Sequence, residues 1–189
     1  MQGIDNGLGG KLLLATPSIG DPRFRHAVIF IVTHDKNGAL GLMVNFPVIN
    51  LTFAELLQQT KIPLPDRSLG QIRMLSGGPV EAGHGFLLHT SDYARPETII
   101  VTPQFHVTAT IEALSDVANG CGPRESLFVL GYSGWGAGQI EQEIADNAWL
   151  VVDADHDLLF NTESEDCWDR AYGRLGVNPT LLSSQSGRA

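Results

Sequence analysis

The side chains that could do chemistry in this chain stand where apolar runs stop and turns begin. His34 closes one such run, Asn45 stands near the end of a second, and His89 follows Gly85-Phe86-Leu87-Leu88. A histidine titrates near neutrality and can pass a proton, although one beside a turn aspartate, as His34 is beside Asp35, more often just holds the loop. Asp21 and Arg25 belong to a proline-broken loop, TPSIGDPRFR, whose Arg23 and Arg25 suit either an anion-binding lip or a surface ion-pair loop. The plain reading leads there, since exposed pairs are common and worth little. Trp135 and Gln139 border a glycine cluster. Asp21, Arg25, His34, Asn45, His89, Trp135 and Gln139 are therefore the candidate ligand-binding residues, because strand ends, turns and helix starts are where proteins of this type place ligands.

The cluster itself needs a physical reason. Gly131, Gly134, Gly136 and Gly138 fall within eight residues, between apolar Leu127–Leu130 and a helix start at Gln139. Each glycine costs backbone entropy, so the group makes sense where φ is positive or where backbone approaches something closely. One account has the glycines let the chain wrap around a core Trp135; the other has free N–H groups ahead of the helix bind an anion. The pattern is GxGxG with Gln139 where a dinucleotide fingerprint needs its last glycine, and no Lys-Ser/Thr follows as in a P-loop. Glu141 and Glu143 in the first helical turn repel phosphate, which favours the structural account. Gly131-Tyr132-Ser133-Gly134 misses the nucleophile elbow by one position, leaving Ser133 a weak nucleophile candidate. The stretch reads as buried strand, tight glycine turn, short helix and second strand.

No metal or cofactor is expected. His84 and His89 have opposite parity along a strand and point to opposite faces, and the other histidines are scattered singly. Asp153-Ala154-Asp155-His156-Asp157 resembles a calcium loop only superficially, with Leu158 where the glycine belongs and Ser164 where the bidentate glutamate belongs. The two cysteines, Cys121 and Cys167, fit no metal or redox spacing and suit a reducing cytoplasm.

The elements that must position these residues follow from hydrophobic pattern. Lys11–Ala15 reads as a first strand; His26–Thr33, apolar and β-branched, as a central strand buried on both faces; and Ala39–Phe46 as its hairpin partner across Asn37-Gly38. Thr52 with Glu55 makes a capping box for a helix at Phe53–Gln59, and Lys61–Gly70 is a loop. Strands are expected at Gln71–Leu75, about Gly83–Thr90 and Glu97–Val101, with Gly77-Gly78-Pro79 a bend or bulge. A helix ending at Gly120 should turn Ile111, Leu114, Val117 and Ala118 inward, and the helix after the glycine cluster should do the same with Ile140 and Ile144. Ala148–Val152 and Leu158–Phe160 read as a last hairpin. Thr162 with Glu165 reads as a second capping box, opening a helix to Leu175 with a stripe of Cys167, Trp168, Ala171, Tyr172 and Leu175. Strands outnumber helices and arrive partly as hairpins, which defines an α+β domain with a mixed, largely antiparallel sheet. Residues 11–176 are expected to form one domain, with little order in 1–10 or in the tail 177–189.

Composition bounds the partners. A chain of 189 residues with 43% hydrophobic content can bury a sizeable core. Its net charge of −9, from 12 Lys+Arg against 21 Asp+Glu, argues against direct DNA binding, whose affinity comes largely from neutralised phosphates. The first residues lack a signal peptide's apolar core, and no run approaches the length of a membrane span, so a cytoplasmic location and no membrane partner are expected.

Several segments carry a resemblance. GYSGWGAGQIEQEIADNAWLVV resembles the signature of the bacterial AlgH/YqgE family. So do Leu13-Leu14-Ala15 with Asp21-Pro22-Arg23-Phe24, His34 with Gly38–Asn45, Gly77-Gly78-Pro79-Val80 and Gly85–His89, matching in order and spacing from about Gly10 to Leu175. The resemblance implies a bifurcated sheet surrounded by helices and a part in transcriptional regulation, and it brings no catalytic or ligand-binding residue with it. Phe46 departs from the pattern, since a basic residue is usual there.

Three classes of function are compatible with these residues. The first is a regulatory protein that acts through a small molecule or a protein partner. An enzyme would need His34, Asn45, His89 and the glycine turn near Trp135 to converge from separate strand ends. Direct DNA binding is the reading the charge opposes.

Overall fold

The computed structural model describes residues 7–66 and 72–179. Among them nine strands form one sheet: β1 Lys11–Ala15, β2 Val28–Asp35, β3 Gly38–Met43, β4 Met74–Ser76, β5 Val80–Thr90, β6 Ile99–Ile100, β7 Phe105–Thr108, β8 Ser126–Gly136 and β9 Trp149–Asp153. The helices are α1 Phe53–Gln59, α2 Ile111–Asn119, α3 Gln139–Ala145, α4 His156–Phe160 and α5 Ser164–Arg174. Strand order is β6-β7-β5-β8-β3-β2-β1-β9, with β4 paired to β8 off this path. Every pairing between strands is antiparallel except β4 with β8, so the fold is the expected mixed, largely antiparallel α+β type.

The run from Val28 to Val32 is buried on both faces because two cores meet across it. Val28, Phe30 and Val32 join Leu12, Leu42, Val129 and the α5 stripe Cys167, Trp168, Ala171 and Tyr172. Ile29 and Ile31 point the other way, toward Trp135, Ile140 and Trp149. A third core packs α1 and α2 on Leu87 and Phe128. The α1 capping box forms as expected, Glu55 N–H donating to Thr52 Oγ1 at 3.2 Å and Thr52 N–H to Glu55 Oε2 at 2.7 Å. Thr52→Ala is expected to cost about 1 kcal/mol, read from urea denaturation.

Several expectations need correction. β8 does not stop at the glycines; it continues to Gly136, because pairing with Gly38, Ala39, Leu40 and Gly41 of β3 extends the ladder, and only Ala137-Gly138 turns. Leu158–Phe160 is helix α4 rather than a strand, since Asp155 accepts from Leu158 N–H at 3.0 Å and caps it. The second capping box does not form: Glu163 is the N-cap of α5, while Thr162 Oγ1 donates to the Asp157 carbonyl at 2.7 Å. The strand expected over Glu97–Val101 shrinks to Ile99–Ile100. Ile111 stands 52% exposed and Ala113 takes the inward place, while Leu175 is 37% exposed. At the N-terminus, order begins before Lys11: Gly10 N–H donates to Ile31 O at 2.8 Å, and Leu8 packs on the core. Residues 1–6, Gln71 and most of the expected tail (180–189) lie outside the described residues.

Candidate functional site

The site is built around the forking of β8. On one edge β8 pairs with β5 from Ser126 to Tyr132. Its other edge carries β4 at Phe128–Leu130 and then β3 at Ser133–Gly136. Both β4 and β5 meet Phe128, so they lie on opposite sides, and Gly77-Gly78-Pro79 carries the chain across β8 between them. The crossing is possible because those glycines have no side chain: a Cβ on Gly77 would lie 2.3 Å from Gly131 O, and one on Gly78 2.3 Å from Tyr132 O. Beyond Tyr132 the β5 edge of β8 has no partner strand among the described residues. There Gly136 N–H donates to the Gln139 side-chain oxygen at 3.0 Å.

Register assigns the side chains of this arm to two faces. His34, Ala39 and Trp135 align across β2, β3 and β8 on one face, which α3 covers. Trp135 is buried against Trp149, ring centroids 6.1 Å apart. Both indoles donate to Glu143 Oε2, at 2.9 Å from Trp135 and 2.8 Å from Trp149, and Gln139 Nε2 donates to Glu143 Oε1 at 2.9 Å. His34 Nε2 meets Glu141 Oε1 at 2.8 Å. Glu141's own backbone N–H and then His34 hold that carboxyl below the usual range. Glu141 and Glu143 thus fasten α3 to the sheet, in keeping with the structural account of Trp135.

The opposite face, carrying Leu40, Gly134 and Gly136, is open. Here lies a cleft of ≈ 440 Å³ floored by Gly38 and Gly134 and bordered by Thr33, Asp35, Asn37, Val80 and Tyr132. Gly38 is required by packing, since its Cβ would sit 2.2 Å from Trp135 O at a φ of +140°. Gly134 and Gly136 are not required in this way. A Cβ on Gly134 would meet only the Tyr132 ring at 3.5 Å, one on Gly136 only Gln139 Oε1 at 3.8 Å, and neither has positive φ. Exposed strand glycines without such a need leave bare backbone where another molecule can approach closely. Polar side chains in the lining are Thr33, Asp35, Asn37 and Tyr132; the lining holds no lysine or arginine.

The remaining candidates lie elsewhere. Asp21 is paired with Arg23 at 2.6 Å and accepts from Arg23 N–H, and Arg25 is exposed at the end of the 3₁₀ turn Pro22–Phe24. Asn45 ties β3 to the start of β2, accepting from Val28 N–H at 2.8 Å and donating to His26 O at 2.8 Å. It borders a second cleft of ≈ 750 Å³ with Arg73, Glu163 and Glu165. Arg73 is engaged there, donating to the Leu159 and Thr162 carbonyls at 2.6 and 2.7 Å. Phe46 packs on the Trp135 core. The structure thus brings His34, Trp135 and Gln139 together and keeps Asp21, Arg25, Asn45 and His89 apart from them. Reading by residue type did not find Glu143 as the joint of α3, nor Asp35 and Asn37 as cleft lining. Among the described residues no group of three or more His, Cys, Asp or Glu could hold a metal.

His89 is fully buried between β5 and β7. The Thr90 carbonyl, 2.8 Å from Nδ1, can only accept, so Nδ1 carries the proton and Nε2 accepts from Thr108 Oγ1 at 2.9 Å. Thr98 Oγ1 completes the chain, 2.7 Å from Thr108 Oγ1. Burial foremost, with His106 across the ladder adding to it, pushes His89 below the ordinary histidine value. The unfolded chain therefore binds a proton from about pH 6.5 downward that the folded chain refuses. Stability is expected to be full above that pH and to fall as the pH drops toward the lowered native value. Urea denaturation between about pH 7.5 and 5.5 checks this, and His89→Gln should flatten the loss.

With fold and geometry in place, the chain's class is an α+β protein whose sheet forks at one long strand. It belongs to the AlgH-like family, whose model matches residues 12–180. It is 44% identical over 183 residues to a UPF0301 protein of Ruegeria pomeroyi, covering 96% of this chain and 99% of that one. A UPF0301 protein of a Jannaschia species is also 44% identical, over 191 residues, covering 100% of this chain and 99% of that one. The solution structure of the AlgH protein from Pseudomonas aeruginosa matches with a TM-score of 0.78 and 39% identity over 96% of both chains. A Corynebacterium diphtheriae crystal structure, 18% identical over 94% of this chain and 92% of that one, shares the fold alone at a TM-score of 0.72. No helix among the described residues is long and apolar enough to cross a membrane.

Proposed function

We propose that this chain is a regulatory binding protein that influences transcription through a small molecule or protein partner held at the β8 cleft, and does not contact DNA itself. The observation that carries the binding part is bare backbone at Gly134 and Gly136, where neither backbone conformation nor packing asks for glycine. The acidic balance and a cleft lining without lysine or arginine support a partner other than nucleic acid. The transcriptional part rests on the resemblance of the glycine-bearing segment to the AlgH/YqgE signature.

A thermal-shift screen against nucleotides, metabolites and metals tests the binding part, because a ligand of the folded state raises the melting temperature by mass action. The expected result is a dose-dependent rise that Gly134→Val, which fills the floor, abolishes. A rise that survives Gly134→Val places binding elsewhere and overturns the reading. The regulatory part is tested by comparing transcripts of a deletion strain complemented with the parent or with Gly134→Val; identical profiles would overturn it.

A further inference from the structure

Resting on the binding reading above, we infer that the open edge of β8 at Gly134–Gly136 accepts an extended, cationic peptide segment of a partner protein as an added β-strand. A strand edge without a neighbour presents N–H and C=O groups at the spacing another strand needs, and recognition by strand addition draws affinity from those main-chain bonds. This edge is the continuation of the one that β5 fills as far as Tyr132, and the fork leaves it without a strand among the described residues. Sheet edges are commonly blunted by lysine, proline or inward-pointing charge. Here the strand reads Ser133-Gly134-Trp135-Gly136, with Ser133 and Trp135 buried and no charged side chain on it.

Gly134 and Gly136 bring no side chain between an incoming backbone and the floor. Val80 and Tyr132, at the point where β5 and β8 part, supply an apolar wall for alternate side chains. Gly136 N–H is already held by an oxygen from outside the ladder, the Gln139 side chain, in the way an incoming carbonyl would hold it. The sign of the partner follows from charge. Asp35 is the charged group lining the cleft, and the whole chain carries −9. Lys36 in the adjoining turn does not line it.

The test follows backbone amide signals of the full ¹⁵N-labelled chain as blocked pentapeptides are added. The probes are Lys-Val-Lys-Val-Lys, its acidic counterpart Glu-Val-Glu-Val-Glu, and Lys-Val-Pro-Val-Lys, which lacks the central N–H. The expected result is saturable shifts centred on Gly134 and Gly136 with the first peptide, and affinity about tenfold weaker or more for the other two, the loss of one net hydrogen bond or charge contact. Gly134→Lys places a charge where a Cβ meets only the Tyr132 ring, so the fold should survive, as its amide spectrum will show. Binding to this variant should fall by a similar factor. Equal affinity for all three peptides, shifts mapping elsewhere, unchanged binding to Gly134→Lys, or no shift at millimolar peptide would each overturn the inference. If the peptides fail while a small molecule stabilises the parent and not Gly134→Val, strand addition is wrong and the binding reading stands. If that too fails, both fall.

Discussion

Gly78→Ala is expected to destabilise the chain by about 3 kcal/mol, the upper end of the cost of overpacking, lowering Tm by roughly 6–12 °C for a domain of this size. The added Cβ would lie 2.3 Å from both the carbonyl carbon and oxygen of Tyr132 and 2.4 Å from Ser133 Oγ, at a φ of +151°. Backbone atoms at the centre of β8 cannot move aside without breaking the ladders on either edge. Ser133 Oγ, which donates to Gly77 O at 3.1 Å, would be displaced as well. Gly134→Ala is the internal comparison. Its Cβ meets an ordinary contact of 3.5 Å, so it should stay within about 0.5 kcal/mol of the parent, as substitutions away from special features do. Urea denaturation of both variants measures the difference. A Gly78→Ala protein as stable as the parent would show that the crossing between β4 and β5 relaxes freely.

Glu143→Ala is expected to cost about 3 kcal/mol, since buried donors left without an acceptor carry a penalty of about 1–3 kcal/mol each. The carboxylate accepts from the indoles of Trp135 and Trp149, which are 7% and 2% exposed, and from Gln139. Besides this carboxylate, α3 is held by the His34–Glu141 contact, by Gly136 N–H on the Gln139 side chain and by Ile140, its one fully buried side chain. Losing the joint should loosen α3 and let water reach the indoles, read as a red shift in tryptophan emission together with a lower Tm. Glu143→Gln keeps an acceptor oxygen for the indoles and should cost about 1 kcal/mol, the difference between charge-assisted and neutral hydrogen bonds. If alanine and glutamine variants match the parent in both readouts, α3 is held by packing and not by this carboxylate.

Fold class was legible because it rests on local pattern. The buried run of β2, the Thr52/Glu55 box and the α5 stripe from Cys167 to Tyr172 appear where spacing along the chain places them, while the hairpin turn falls one residue earlier than expected, at Lys36-Asn37. Local pattern misled where a partner outside the segment itself decided the outcome, a distant strand in one case and a nearby aspartate in two. The glycine-rich end of β8 looks like a turn until β3 pairs with it, and Leu158–Phe160 looks like a strand until the Asp155 side chain is seen to cap it. Thr162 was in place to cap α5, yet its hydroxyl went to Asp157 O.

By itself, then, the sequence determined an α+β sheet protein, its principal strands and the α1 capping box; that Trp135 is a core residue came from the tertiary structure. Only the tertiary structure decided which glycines serve the fold and which leave backbone bare. That distinction depends on what a Cβ would touch: for Gly77 and Gly78 it would touch the backbone of a strand some fifty residues away, and for Gly134 nothing closer than the Tyr132 ring. The tertiary structure also decided that His34, Trp135 and Gln139 share a neighbourhood while His89 does not, because strand order brings β2, β3 and β8 together and sets β5 and β7 on the other arm of the fork.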